Sequence, residues 1–235
     1  MFESKYSKLL TVLLILGIIS IVAILGTTGI IIMNNGKAKQ EAENAVDNFQ
    51  NIINEEVNNN NNNSNNNINE EIPESNIIAN EIVPTIGLEN IIVDNTSSEE
   101  NTKNYKGFPM VGTIEIPAIN LKYPVLEDSS RDAIEVAVGI YDGPGLNKVG
   151  VTTIAGHNYR DGRFFANNKK LVEGDKIYIT DINGQKITYS IYKIYTTSPE
   201  DGSHLDYDTQ GKREIALSTC TDDTKSRLII LAKEQ

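Results

Sequence analysis

The chain has 235 residues, of which 39% are hydrophobic, with a formal net charge of -11 and a single cysteine. That length allows one ordinary domain plus extra segments but not two large domains. The acidity disfavours a nucleic-acid partner, because a phosphate backbone would be repelled, and one thiol excludes an internal disulfide.

From the amino terminus, Leu9 to Met33 contains no charged residue and is mostly Leu, Ile and Val. It is long enough to cross a hydrocarbon core of about 30 Å with some tilt. It is also longer than the apolar core of a cleaved signal peptide, so it reads as an uncleaved membrane anchor. Lys5 and Lys8 precede the span, and Lys37 and Lys39 follow it beside Glu41 and Glu43, so charge orients the span only weakly. The short amino-terminal flank and the large polar remainder favour residues 1–8 inside and everything after residue 33 outside the cell.

Residues 34–109 read as stalk and linker. Ala38, Ala42, Ala45, Val46, Phe49, Ile52, Ile53 and Val57 recur at spacings of three and four, the pattern of a short amphipathic helix. It is read as a juxtamembrane stalk, with a dimerising coiled coil as the alternative. Asn58 to Asn67 is almost pure asparagine and reads as a flexible spacer, and Ile68 to Tyr105 as mostly disordered. Val83-Pro84-Thr85-Ile86-Gly87 is an extended stretch that could lie in a groove of the downstream domain, although a chance cluster in a linker is the simpler account.

The folded domain is placed at 110–235. Strands are expected at Val111 to Ile116 and Asn120 to Leu126, one or two helical turns at Ser129 to Val136, and a strand at Gly150 to Gly156 that delivers His157. A short helix with Phe164 and Phe165 inward is expected over Gly162 to Leu171. Lys176 to Thr180 and Lys186 to Tyr195 form a hairpin around Asp181-Ile182-Asn183-Gly184, and Pro199 to Gly211 is a loop containing His204. About eight short strands with few helical insertions predict a mainly β fold, a small closed barrel.

The last hairpin carries the chemistry. Glu214 to Thr219 and Leu228 to Ala232 are apolar runs joined by the polar turn Thr221 to Ser226. Cys220 ends the first strand and Arg227 begins the second, so a thiol and a guanidinium reach one sheet edge. With His157 at another strand end, these are the parts of a thiol acyl-transfer site. Singly, each residue has a plainer reading: a buried filler cysteine, a surface histidine, an arginine paired with Asp222 or Asp223. His204 has no apolar run leading to it and is read as non-catalytic.

Taken together, Gly156-His157-Asn158, Leu217-Ser218-Thr219-Cys220 and Arg227 resemble the sortases, membrane-anchored cysteine transpeptidases of Gram-positive bacteria. Gly112-Thr113-Ile114-Glu115-Ile116-Pro117, Tyr123-Pro124-Val125 and Gly174-Asp175 agree, so the resemblance covers about Met110 to Ala232. Ala216 departs from it, since the family often has Thr there, which bears on substrate choice. No Asp-Pro-aromatic lid precedes the domain and no long insertion fits between Tyr195 and Arg213, so the resemblance is to the lidless classes A, D and E. It implies an eight-stranded sortase-type barrel in which Cys220, His157 and Arg227 are catalytic. The implied reaction cuts a Leu-Pro-x-Thr-Gly-like sorting signal between Thr and Gly, forms a thioester on Cys220 and passes the protein to a cell-wall precursor amine. No cofactor is expected. Some relatives bind calcium, for which Asp128, Glu173 and Asp175 could supply oxygens, but a hard cation needs several converging carboxylates. The competing readings are a tethered extracellular β-domain that only binds a partner, and a different cell-wall cysteine peptidase.

Overall fold

The computed structural model of the chain describes residues 3–64, 103–159 and 161–235. The stretch Val83 to Gly87 lies outside the described residues. Among the described residues, nine strands follow the first helix: β1 (Asn104–Tyr105), β2 (Phe108–Ile116), β3 (Leu121–Leu126), β4 (Val138–Asp142), β5 (Gly150–Ala155), β6 (Lys176–Asp181), β7 (Lys186–Thr197), β8 (Arg213–Cys220) and β9 (Arg227–Glu234). They form one sheet in the order β1-β2-β3-β4-β5-β8-β9-β7-β6. A further pairing of β2 with β6, Ile114 opposite Ile179, closes the ring. The two-residue β1 only hooks onto β2, so eight strands make the barrel. Closure leaves no long edge for another chain to extend.

Alternation along the strands supplies the interior. Ile114, Ile116, Val125, Ile154, Ile177, Ile179, Ile215 and Leu217 are all buried in one cluster. Two pairings are parallel, β3 with β4 and β5 with β8. The second sets the site, because it runs Gly150–Ala155 alongside Arg213–Ser218 in register and brings both carboxyl ends to one rim.

Helix α1 (Glu3–Ser64) differs from the expected span, stalk and flexible spacer. It is one uninterrupted helix that runs through Asn58 to Ser64, where a coil was expected. No proline interrupts it, and each added residue closes one more backbone hydrogen bond once a helix exists. Within it Leu10–Thr28 is long and apolar enough to cross a membrane. Its lower half is not a free stalk. Ala42, Val46, Phe49 and Ile53 are buried, at most 2% exposed, and the helix packs on β3. Lys122 Nζ donates to Asp47 (2.5 Å) and Lys103 Nζ to Glu56 (2.6 Å) along its flanks.

The one or two helical turns expected between Ser129 and Val136 are the single turn α2 (Arg131–Ile134). Over Gly162 to Leu171 the chain makes turns and a single 3-10 turn at Asn168–Lys170. Phe164 there has φ +50, a left-handed conformation that a continuous α-helix excludes. Phe164 and Phe165 nevertheless point inward and are buried.

Candidate active site

β8 and β9 are antiparallel neighbours, and their last paired residues are Cys220 and Arg227. The six-residue turn folds back on itself: Thr221 Oγ1 donates to Asp223, and the Thr221 and Ser226 backbones bond each other (3.0 Å). The thiol and the guanidinium therefore start from opposed Cα atoms. Arg227 Nη1 donates to Cys220 Sγ at 3.1 Å. Asp223 accepts from the Lys225 backbone, and Asp222 is held by Lys169 and Asn158. The guanidinium is thus turned to the sulfur and not to the acidic turn.

His157 arrives from β5. Two contacts lock that strand end to β8: Gly156 N–H donates to Ser218 O (3.2 Å), and Thr219 Oγ1 donates to Gly156 O (2.7 Å). Gly156 is required there by space, since a Cβ would come within 2.7 Å of Val138 Cγ1 and 2.9 Å of Phe165 Cδ2. One residue further on, Asn158 Nδ2 donates to the backbone oxygen of Cys220 (2.9 Å). The imidazole lies between two groups absent from the sequence reading. The Tyr159 ring is 5.0 Å away between centroids, and Glu135 Oε1 is 3.6 Å from His157 Nε2, within ion-pair reach and too far for a hydrogen bond. The Tyr159 hydroxyl donates to the other Glu135 oxygen. Burial and then that acceptor raise the Tyr159 pKa to about 12, so it stays a donor at neutral pH. Arg163 covers the outer face of Tyr159, 4.6 Å from its centroid.

Cys220, His157 and Arg227 line one open cavity of about 360 Å³. Its other walls are Ile134, Tyr141 and the loop from Pro199 to Leu205, which supplies His204. His204 is buried, its Nδ1 has no hydrogen-bond partner among the described residues, and burial pushes its pKa below the ordinary value. Sequence reasoning set His204 aside. Its signal was spatial only, since a loop has no periodicity to tell which way a side chain faces. A cavity of equal volume between α1 and the barrel, lined by Lys39, Tyr123 and Arg163, does not reach the thiol and is not assigned to the site.

Two of the three carboxylates considered for calcium serve local turns. Asp128 accepts from the Ser130 backbone and Asp175 from the Val172 backbone, each closing its own turn. No group of three or more His, Cys, Asp or Glu side chains converges among the described residues.

A family model described as the Sortase domain matches residues 114–235. Sortase A of Streptococcus agalactiae is 26% identical over 158 residues, 65% of this chain and 60% of that protein. Sortase D of Bacillus subtilis is 32% identical over 110 residues, 46% of this chain and 53% of that protein. The chain thus spans between half and two thirds of the length of these relatives. Among solved structures, the Sortase D5 transpeptidase of Clostridium perfringens superposes with a TM-score of 0.50 at 30% identity, over 54% of this chain and 79% of that one. Sortase A of Corynebacterium diphtheriae gives 0.50 at 28%, over 55% and 61%.

Proposed function

Because the chain belongs to the sortase family, we propose that it is a membrane-anchored cysteine transpeptidase acting on proteins that bear a cell-wall sorting signal, with Cys220, His157 and Arg227 as its catalytic residues. The observation that carries this reading is the 3.1 Å contact from Arg227 Nη1 to Cys220 Sγ, at the rim of a cavity that also holds His157.

Only the thiolate is a strong nucleophile. The Cys220 thiol passes its proton to His157, and the Arg227 guanidinium, 3.1 Å from the sulfur, faces the charge left there. An extended Leu-Pro-x-Thr-Gly-like peptide lies in the cavity, against Ile134, Tyr141 and the Pro199–Leu205 loop. Cys220 Sγ attacks the threonine carbonyl carbon. The charge that moves to the carbonyl oxygen is taken up by Arg227, whose planar fork offers further donors. His157 gives a proton to the glycine nitrogen as the Thr–Gly bond breaks, which leaves a thioester on Cys220. A primary amine then attacks that thioester, His157 takes a proton back, and the thiolate is released. Water is the slower alternative acceptor. Glu135, 3.6 Å from Nε2, would stabilise the protonated imidazole, which packs against the Tyr159 ring.

The apolar segment of α1 supports a location at the membrane. With Leu10–Thr28 in the membrane and the amino terminus inside, the barrel works outside the cell, against the surface of the same membrane. The match to relatives named Sortase A and Sortase D, with no Asp-Pro-aromatic triplet in the sequence, favours a lidless enzyme.

The test uses the full chain in detergent with a panel of Leu-Pro-x-Thr-Gly peptides and triglycine as acceptor. Cleavage between Thr and Gly, a triglycine adduct of the amino-terminal fragment, and loss of both in Cys220→Ala are expected. No cleavage of any peptide by a folded chain would sink the proposal.

A further inference from the structure

The cavity that the chemistry leaves unused lies where α1 meets the barrel. Its volume of about 360 Å³ falls in the range of about 300–1,000 Å³ usual for small-molecule sites. One wall is the helix at Gly36 and Lys39. The other is the turn before β3, at Ile119 and Asn120, with the loop after β5, at Arg163 and Asn167. The helix sets the height of this cavity above the membrane. The apolar run of α1 continues past Thr28 through Ile30, Ile31 and Ile32 to Met33. At 1.5 Å per residue, Gly36 and Lys39 lie about 5 and 9 Å beyond Met33, the depth of a headgroup layer that adds about 5–8 Å to each side of the hydrocarbon core.

Two cations and one carboxylate line the cavity, Lys39, Arg163 and Asp161, so its walls are net positive in a chain whose net charge is -11. Both cations have donors to spare. Lys39 Nζ is 3.7 Å from Glu43, an ion pair too long for a hydrogen bond. Arg163 donates through Nε to Asp161 at 2.8 Å, and its planar fork has Nη groups beyond that contact. The guanidinium is held in place by stacking, 4.6 Å from the Tyr159 ring centroid and 5.7 Å from that of Phe164. A held guanidinium and a flexible ammonium lining one cleft are the donor set for a phosphodiester. Ile119 and Leu121 give the same cleft an apolar side, and Asn120 and Asn167 bring amides suited to hydroxyls.

We infer that this cavity is a headgroup site for an anionic phospholipid of the bilayer that α1 crosses, with Arg163 and Lys39 binding the phosphate and Asn120 and Asn167 the headgroup hydroxyls. The inference goes beyond the transpeptidase reading and does not rest on it; it rests on α1 as the span. A soluble phosphate ester has the same charge, but nothing concentrates it at this depth. A zwitterionic headgroup brings its own ammonium towards Lys39 and Arg163 and is disfavoured by like charge. A lipid seated in the cleft touches both the helix and the barrel. It therefore gives the barrel a second attachment to the membrane besides α1, and holds the barrel's tilt against the surface.

The test counts lipid retained by the full chain in a neutral detergent, by native mass spectrometry, with phosphatidylglycerol or phosphatidylethanolamine added at equal mole ratio. Phosphatidylglycerol is expected to be retained at least about threefold better than phosphatidylethanolamine. Lys39→Gln and Arg163→Gln should each lower its retention about threefold to tenfold. Lys37→Gln is the matched control: it removes the same charge from the same helix at nearly the same depth, but Lys37 does not line the cavity. Its retention should stay within about twofold of the parent. Lys39→Gln loses only the exposed pair with Glu43, so it keeps the test decisive if Arg163→Gln fails to fold. Equal losses in Lys37→Gln and Lys39→Gln would mean attraction by surface charge alone and would overturn the inference, as would equal retention of the two lipids. Displacement of the lipid by an equal concentration of soluble glycerophosphoglycerol would overturn the membrane as its source, and the inference with it.

Discussion

The contact between Arg227 and the Cys220 sulfur sets what substitutions there should do. Removing one oxyanion donor in acyl-transfer enzymes costs about 10²–10³ in kcat, so Arg227→Ala should lower the rate of peptide cleavage by that order. Arg227→Lys keeps a point charge but not the fork, and should fall between. A cleavage rate in Arg227→Ala within about threefold of the parent would remove the arginine from the chemistry. His204 carries a pH prediction. Burial lowers its pKa from the ordinary 6.5, opposed by the charges of Asp201 and Asp142. The unfolded chain therefore takes up this proton before the folded chain does, and stability falls as pH drops below 6.5 until the lower folded value is reached. His204→Gln should flatten the loss of stability between about pH 7 and pH 5, read as urea midpoints; an unchanged slope would contradict it. At this scale the hairpin pair was legible, because six polar residues between two apolar runs fix which residues oppose each other. Glu135, Tyr159 and the Lys169–Asp222 pair were not, since nothing local links residues separated by 22 to 53 positions.

At the scale of the element, the docked half of α1 shows what a hydrophobic pattern does and does not contain. Ala42, Val46, Phe49 and Ile53 mark a face, and the spacing gave that face. A stalk, a coiled coil and a helix laid on a barrel all share the pattern; what covers the face is a tertiary fact. The cover here is the outside of the barrel at β3. Phe49 is 1% exposed, and truncating a buried phenylalanine to alanine costs about 3–5 kcal/mol in a core. Phe49→Ala should therefore lower the thermal midpoint of the full chain in detergent by several degrees. Asp47→Ala, which breaks only the exposed contact with Lys122, should barely move it. Equal midpoints for Phe49→Ala and the parent would mean that the helix does not hold the barrel in solution. The asparagine run misled for a related reason. Asparagine lowers helix propensity by only a fraction of a kcal/mol per residue, too little to end a helix already nucleated over the 55 residues from Glu3 to Val57.

At the scale of the whole molecule, one rod joins the span to the barrel. At 1.5 Å per residue, the fourteen residues from Thr28 to Ala42 put the first buried helix contact about 21 Å beyond the span. The eight-stranded barrel was legible from strand count and turn residues. Its closure through β2 and β6, and the parallel pairing of β5 with β8 that carries His157 to Cys220, were not, because long-range register leaves no local trace. Everything said of donor and acceptor depends on an acyl group resting on that sulfur. The most direct measurement is intact mass of the full chain after mixing with a Leu-Pro-x-Thr-Gly peptide and quenching in acid, with the adduct mapped by fragmentation. The expected result is a hydroxylamine-labile addition equal to the peptide up to its threonine, on Cys220 and absent in Cys220→Ala. An unmodified Cys220 across the whole peptide panel, in a folded chain, would contradict the account.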